Sequence, residues 1–422
     1  MKTYIYILLS VLFFLSSCSD YLDLYSRSAI PPEAITEGDL PAMRIGMYNF
    51  VQNRPGVRAY MMHDILGGGI QGNTGSARDL INGTLSPLNS YIQGGWDGYY
   101  NALYQVNTVI EVTERFSSAQ ANLIKGEALY FRAYIYFCLA TRWGGVPILE
   151  KNTLERLPRN TLEEVWDFID RDLELATELL TDAPKSYYYV SKDAAIALRA
   201  RTSLSSGDYA NAAKYAESLI TKGKYRLDSF DKIFRKRANT EIIFAFENQT
   251  EESSINISDL YYTYDHPNRG QGVYRPTDAT IALFADEDNR KDITLVNIGG
   301  RIIINKYESG QTGRDPVIIS RIAELYLVSA EAQGLGNGIA RLNELRAFRG
   351  LAPVSAANSQ EYLDLILDER VRELIGENFM YHDYVRTGVA VEKLGILPHQ
   401  VLHPIPGREL QNNPNLTPNP GY

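Results

Sequence analysis

Five histidines and two cysteines are the residues from which this 422-residue chain could build nucleophilic or metal chemistry, and their spacing serves neither. No His-Glu-x-x-His occurs. His399 and His403 stand four apart, but Pro398 and Pro404 oppose a helix that would bring both onto one face. Cys138, within "RAYIYFCLATRW", sits among apolar and aromatic neighbours at helical spacing, surroundings that suit a packed core thiol rather than a nucleophile. "GGGIQGNTG" lacks the Lys-Ser/Thr ending of a phosphate loop. "DEDNRKD" has acids at alternate positions without the glycine and terminal glutamate of a calcium loop. A glycosidase needs only two opposed carboxylates, which linear spacing does not display, and no hydrolase motif accompanies the acids. The expectation is a protein that is not an enzyme and uses neither metal nor cofactor.

Residue types favour binding instead. The chain holds 29 tyrosines against 14 phenylalanines, and tyrosine joins an apolar ring face to a polar hydroxyl. Such a surface suits sugar rings, whose C–H faces lie on aromatics while Asn, Asp, Arg and His take the hydroxyls. Peptides can use the same surface.

The elements that would position these groups are mainly helical. Leu103, Val106, Val109 and Ile110 recur at helical spacing, as do Leu129, Ala133, Tyr136, Phe137 and Ala140. Val165, Phe168, Ile169, Leu173, Leu175 and Leu179 form a third stripe, with Thr161 as its N-cap and Glu164 three residues on. Three helices are expected to end at a glycine, at 144, 207 and 336, and the segment around Gly207-Asp208-Tyr209 resembles a tetratricopeptide helix pair. These glycines are 63 and 129 apart, so a strict 34-residue array is excluded and inserted segments separate the pairs. Arg54 to Gly95 and Asn248 to Pro276 read as long irregular insertions, the kind of segment that often carries function. "TEIIFAFENQ" and "GRIIINKYES" read as short strands forming one small pairing. The fold class is mainly α, with tetratricopeptide-like helix pairs, long inserted loops and a few short strands.

Composition narrows the setting. With 45% hydrophobic and 22% charged residues the chain can bury a large core. A net charge of -9 opposes nucleic acid as a partner. At the amino end Lys2 precedes an almost wholly apolar run from Tyr4 to Leu15, 12 residues, too short to span a bilayer, followed by small residues. Met1 to Ser17 therefore reads as a removed signal peptide. Its loss takes away Lys2 alone among charged residues, moving the charge from -9 to -10. Leu15-Ser16-Ser17-Cys18 looks like a lipobox, which makes Cys18 the lipid attachment point. Diacylglycerol on its thiol and an amide-linked chain such as palmitate give more than one hydrocarbon chain, which holds a membrane stably where a single chain holds marginally. Cys138 then remains as the only thiol, and no intramolecular disulfide is possible.

Six stretches taken together resemble the SusD/RagB family, surface lipoproteins that bind nutrients for uptake across the outer membrane. They are "CSDYLDL", "GEALYFRAYIYFCLATRWGGVPI", "DEDNRKD", "SRIAELYLVSAEA", "ILDERVRELIGENFMYHDYVRTG" and "LHPIPGRELQNNPNLTPNPGY". They occur in family order and span essentially the whole chain. The resemblance implies a SusD-like α-helical fold, with residues 18–422 forming a single domain whose amino-terminal part runs to about 230 and whose carboxy-terminal part covers about 231–422. It also implies a TonB-dependent transporter barrel as partner, over which the lipoprotein sits as a lid, and an outer-membrane location exposed at the cell surface. The residues of "ILDERVRELIGENFMYHDYVRTG" read as scaffold, with an apolar helical face through Ile366, Leu367, Val371, Leu374 and Ile375, and with Asp383 and Arg386 placed to form a buried pair. Pro-Asn-Pro-Gly at the end must lie on the surface, against something.

For a family member the ligand site lies on loops around the amino-terminal helices and the inserted segments. By residue type and location that points here to Tyr60, His63, Asp64, Asn73, Tyr91 and Trp96, and to Tyr261, Tyr262, Tyr264, His266 and Arg269 from the second insertion. Trp96 serves equally well as a core residue or a sugar platform. The expected activity is capture of a glycan, an oligosaccharide or polysaccharide fragment, and its delivery to the transporter. A peptide ligand is the alternative within the family, and a tetratricopeptide adaptor without a small ligand is the alternative outside it.

Overall fold

The computed structural model describes residues 34–422 apart from 73–79, 81, 83, 182–185 and 236–237. Cys18, the signal segment and Asn73 lie outside the described residues. Helices of seven residues or more are numbered α1 Leu40–Asn53, α2 Ser90–Thr113, α3 Ala119–Trp143, α4 Leu162–Leu179, α5 Lys192–Ser206, α6 Tyr209–Lys222, α7 Ile322–Ala332, α8 Gly334–Phe348, α9 Ser359–Leu374 and α10 Met380–Arg386. Each packs mainly on its neighbours in sequence, from α2 through α6, and α6 then receives α7, which carries α8 and α9. The architecture is a stack of helix pairs, mainly α.

The three apolar stripes account for the first half of that stack. Leu103, Val106, Val109 and Ile110 of α2, and Leu129, Ala133, Tyr136, Phe137 and Ala140 of α3, are all buried. In α4, Thr161 and Glu164 form the reciprocal capping box, with the Thr161 side chain accepting from the Glu164 N–H and the Glu164 carboxylate from the Thr161 N–H. Leu175 departs from its expected place. It is 42% exposed, because α4 buries the face through Val165, Phe168, Ile169, Leu173 and Ala176, and position 175 falls to one side of it.

The α5–α6 pair turns in two residues. Gly207 adopts φ +85°, the left-handed conformation a side chain resists, and Asp208 then caps α6 by accepting from the Asn211 N–H at 3.1 Å. Gly144 likewise follows the end of α3. The third expected helix end needs correction. α7 stops at Ala332, the left-handed break falls at Gly334, and Gly336 lies inside α8.

Strand pairing also differs from expectation. β2 (Ile242–Phe246) pairs antiparallel with β6 (Val317–Arg321), whereas β5 (Arg301–Ile304) pairs with β4 (Leu295–Ile298). "TEIIFAFENQ" and "GRIIINKYES" therefore never meet in one ladder. Gly299 and Gly300, both at positive φ, supply the two-residue turn that closes β4 on β5. β2 is buried along its length. Its Phe244 and Phe246 pack with Tyr130 and Phe131 of α3, with Phe131 and Phe246 stacked at 5.8 Å, which ties the helical stack to the second half of the chain.

Cys138 is a buried free thiol, 5% exposed. The closing segment packs where α3 ends: Trp143 Nε1 donates to the Pro404 carbonyl at 3.1 Å, and Asn419 Nδ2 to the Trp143 carbonyl at 3.1 Å. Among the described residues no helix is long and apolar enough to cross a membrane.

Candidate ligand-binding site

Three residues of backbone bring the two insertions together. β1 (Ile70–Gly72) pairs antiparallel with β3 (Tyr274–Pro276), setting Gln71 opposite Arg275. Successive strand residues face opposite ways, so Ile70 and Tyr274 turn into the core while Gln71 and Arg275 stay partly exposed. Burial raises the pKa of the Tyr274 hydroxyl, an effect opposed by the neighbouring Arg58 cation. Arg58, from the turn Val57–Tyr60, lays its guanidinium 4.3 Å over the ring of Tyr91 in the first turn of α2.

On the second insertion, Tyr264 is 69% exposed and Arg269 lies 4.7 Å over its ring, with Nη1 donating to the Tyr264 hydroxyl at 3.2 Å. Arg269 has φ +49°, and its N–H donates to the His266 carbonyl, closing a tight turn that aims the side chain back at Tyr264. The His266 ring stacks on Tyr262 at 3.7 Å, and burial lowers its pKa. Arg301 of β5 donates to the Gly272 carbonyl at 3.0 Å; burial and the nearby Arg275 charge lower its pKa. Each insertion thus carries one aromatic–guanidinium pair, Arg58 with Tyr91 and Arg269 with Tyr264, and the strands add the donors Gln71, Arg275 and Arg301. A ring face for apolar contact beside planar donors suits a polyhydroxylated ligand.

Of the residues expected from sequence, Tyr91, Tyr264, His266 and Arg269 remain at least partly exposed. Six others are corrected to buried scaffold. Tyr60 donates to the Gln52 carbonyl, His63 stacks on His382, and Asp64 accepts backbone N–H groups of the 376–380 turn. Trp96 meets Trp143 edge to face at 5.3 Å, which settles its core placement. Tyr261 is fully buried, and Tyr262 is 1% exposed with its hydroxyl donating to Asn305. Each lies on an element pressed against the stack, so none offers a ring face to solvent. Arg58, Gln71, Arg275 and Arg301 were not singled out from the sequence. One signal was present for Arg58: residues 40–63 contain Arg44, Arg54 and Arg58 without a single Asp or Glu, in a chain with 51 acids.

Family comparison agrees with the architecture. Residues 20–204 match a SusD-like family described as starch-binding and associating with the outer membrane, and residues 301–400 match the SusD family. SusD-like protein P38 of Formosa agariphila is 27% identical across 82% of this chain and 83% of its own length. A SusD superfamily protein from Bacteroides thetaiotaomicron superposes with a TM-score of 0.80 at 22% identity, covering 92% of this chain and all of that one. Surface glycan-binding protein A of the same organism, in complex with laminarihexaose, superposes with a TM-score of 0.79 at 20% identity, covering 91% of this chain and all of that one. The chain belongs to the SusD/RagB family.

Proposed function

We propose that this protein is a lipid-anchored binding protein of the outer-membrane surface, one SusD-like domain over residues 18–422, that captures a glycan without cleaving it and passes it to a TonB-dependent transporter. The observation that carries the ligand site is the β1–β3 pairing. It joins two insertions 200 residues apart in sequence and sets the Arg58–Tyr91 and Arg269–Tyr264 pairs on the elements that flank it. Family membership and the laminarihexaose complex of a structural neighbour support a saccharide over other ligands. Cys18 holds the anchor, and the acidic residues Asp20 and Asp23 belong to the tether behind it.

Calorimetric titration of the full chain with laminarin-type and other oligosaccharides, repeated with Tyr91→Ala and Tyr264→Ala, tests the site. Saturable binding weakened in either variant is expected. Binding indifferent to both would move the site elsewhere, and binding of peptides alone would replace the saccharide reading. Co-purification of a barrel transporter with the membrane-anchored protein, lost in Cys18→Ala, tests anchoring and delivery.

A further inference from the structure

A cavity of about 280 Å³ lies between the Arg54–Met62 segment and the first turns of α2. Its floor is buried, formed in part by Tyr99 and Trp143, and its mouth is exposed at Arg54, Ser90 and Gly94. Arg54, Arg58 and Arg142 all line it, and among the described lining residues there is no Asp or Glu.

That imbalance is unusual within this molecule. The other deeply buried arginines are met by carboxylates: Arg132 by Asp172, Arg201 by Glu324, Arg290 by Asp288, Arg370 by Asp383, Arg386 by Glu331. Arg142, 3% exposed, instead donates to two neutral carbonyls, those of Cys138 and Ala59, both at 2.9 Å, and its Nε has no acceptor among the described residues. Arg58 Nε is likewise buried without one. Burying a guanidinium without a counter-ion is costly, so the arrangement holds a positive site ready for an anion. α2 reinforces it. Ser90, Tyr91 and Ile92 of its first turn line the cavity, and the amino end of a 24-residue helix is positive. Asn89 Oδ1 already accepts from the Tyr91 and Ile92 N–H groups, so the helix contributes field rather than hydrogen bonds.

The glycines of α2 tell the same story from the side of space. Gly94 and Gly95 stand inside the helix, where each costs about 1 kcal/mol against alanine. A Cβ on Gly94 would meet nothing within 4 Å, and one on Gly95 only ordinary contact with Trp143 at 3.6 Å. Packing therefore does not demand them, and both line the cavity, leaving it open.

Resting on the glycan-binding reading above, we infer that this cavity receives an anionic sugar unit, its carboxylate or sulfate held by Arg58 and Arg142 with Arg54 at the mouth, while the pyranose lies against Tyr91. The guanidinium fork matches both anions in a bidentate manner.

The test is calorimetric titration of the full chain with three probes: oligogalacturonate, sulfated carrageenan oligosaccharide and neutral laminarin oligosaccharide. At least one anionic probe should bind more tightly than the neutral one, with affinity that falls as salt rises. Arg58→Gln should weaken that binding about tenfold or more, a larger factor than any loss it causes with the neutral probe. Gly94→Leu, whose Cβ would meet nothing within 4 Å at the cavity mouth, should block the anionic probe while the melting temperature holds or rises. Preference between the first two probes tells uronate from sulfate. Neutral binding with no anionic preference, or anionic binding indifferent to both variants, would overturn the inference and leave glycan binding intact. Silence from all three probes would overturn both.

Discussion

The Asp64 carboxylate accepts the backbone N–H of Asn378 at 2.9 Å, across 314 residues of chain. The same side chain accepts from Gly376 at 3.0 Å, Phe379 at 3.2 Å and Met380 at 3.4 Å, so it caps α10 from the far half of the molecule. Asp64 is fully buried, and burial pushes its pKa up to about 6, against those N–H groups. Removing the acceptor leaves several N–H groups buried and unsatisfied. Asp64→Ala is expected to cost about 2 to 3 kcal/mol, read as a lower urea midpoint. The raised pKa fixes a sign: the contribution of Asp64 is fully present below pH about 4 and falls as pH rises through about 6. The wild-type advantage over Asp64→Ala should shrink across that interval.

Three histidines act in the opposite direction. His63, His382 and His403 are buried, and burial holds His63 well below its ordinary value and His382 and His403 at about 3. Arg142 presses on all three, and His382 also faces Arg386, Arg370 and Asp383. Their neutral forms favour the folded state above pH about 6.5, and that stability is lost as pH falls towards 3. The three histidines lower stability as pH falls from 6.5 to 4, against the opposite contributions of Asp64, Glu127, Asp172 and Asp368, whose pKa values burial raises. His382→Gln keeps a partner for Ser205, 2.9 Å away, and removes one of the three histidine contributions, so this variant should lose less stability than the wild type as pH falls across that interval. Thermal melts across the pH series check both.

Glu373 is the hub of the carboxy-terminal half. Its carboxylate meets Arg290 at 2.9 Å, Arg349 at 2.8 Å, and Arg321, all at most 2% exposed. These cations hold it well below the usual carboxylate range, in spite of burial. Arg290 continues to Asp288 and Glu369, and Arg321 to Glu377. Glu373→Leu would take one carboxylate from each of three buried guanidinium groups and leave Arg349 with Glu241 alone. A loss of about 3 to 5 kcal/mol is expected, against no resolvable change for Asp286→Ala, whose carboxylate pairs with Lys291 at the surface, both by urea unfolding.

These motifs explain how far the sequence could be read. "ILDERVRELIGEN" declared itself as scaffold because acids and arginines beside an apolar face have few uses other than pairing. Asp383 and Arg386 do form their buried pair, at 2.8 Å. Helical stripes were legible because burial repeats along them. Placement of single polar residues was not. Asp64 and Arg58 stand six apart in one irregular stretch, and only the 376–380 turn decides that one is a buried cap while the other faces a cavity. The β2–β6 partnership was hidden for the same reason, because long-range packing sets it, whereas Gly299-Gly300 between β4 and β5 is a local hairpin signal that was passed over. Position within a face misled for Leu175, where a one-residue offset turns a leucine outward.

Gly94 and Gly98 lie one helical turn apart in α2 and make opposite demands. A Cβ on Gly98 would stand 2.2 Å from the Arg54 carbonyl oxygen and 2.7 Å from Pro55 Cα, so the backbone carrying Arg54 and Arg58 rests directly on this glycine. A Cβ on Gly94 meets nothing within 4 Å. Helix propensity favours alanine at both by up to about 1 kcal/mol. At position 94 that gain should appear in full, as a melting temperature raised by a degree or more. At position 98 the clash has no flexible partner to yield, and overpacking costs of about 1 to 3 kcal/mol exceed the gain. Gly98→Ala is therefore expected to lower the melting temperature and to move the Arg54–Met62 segment away from α2. Equal effects of the two substitutions would show that the segment does not bear on Gly98.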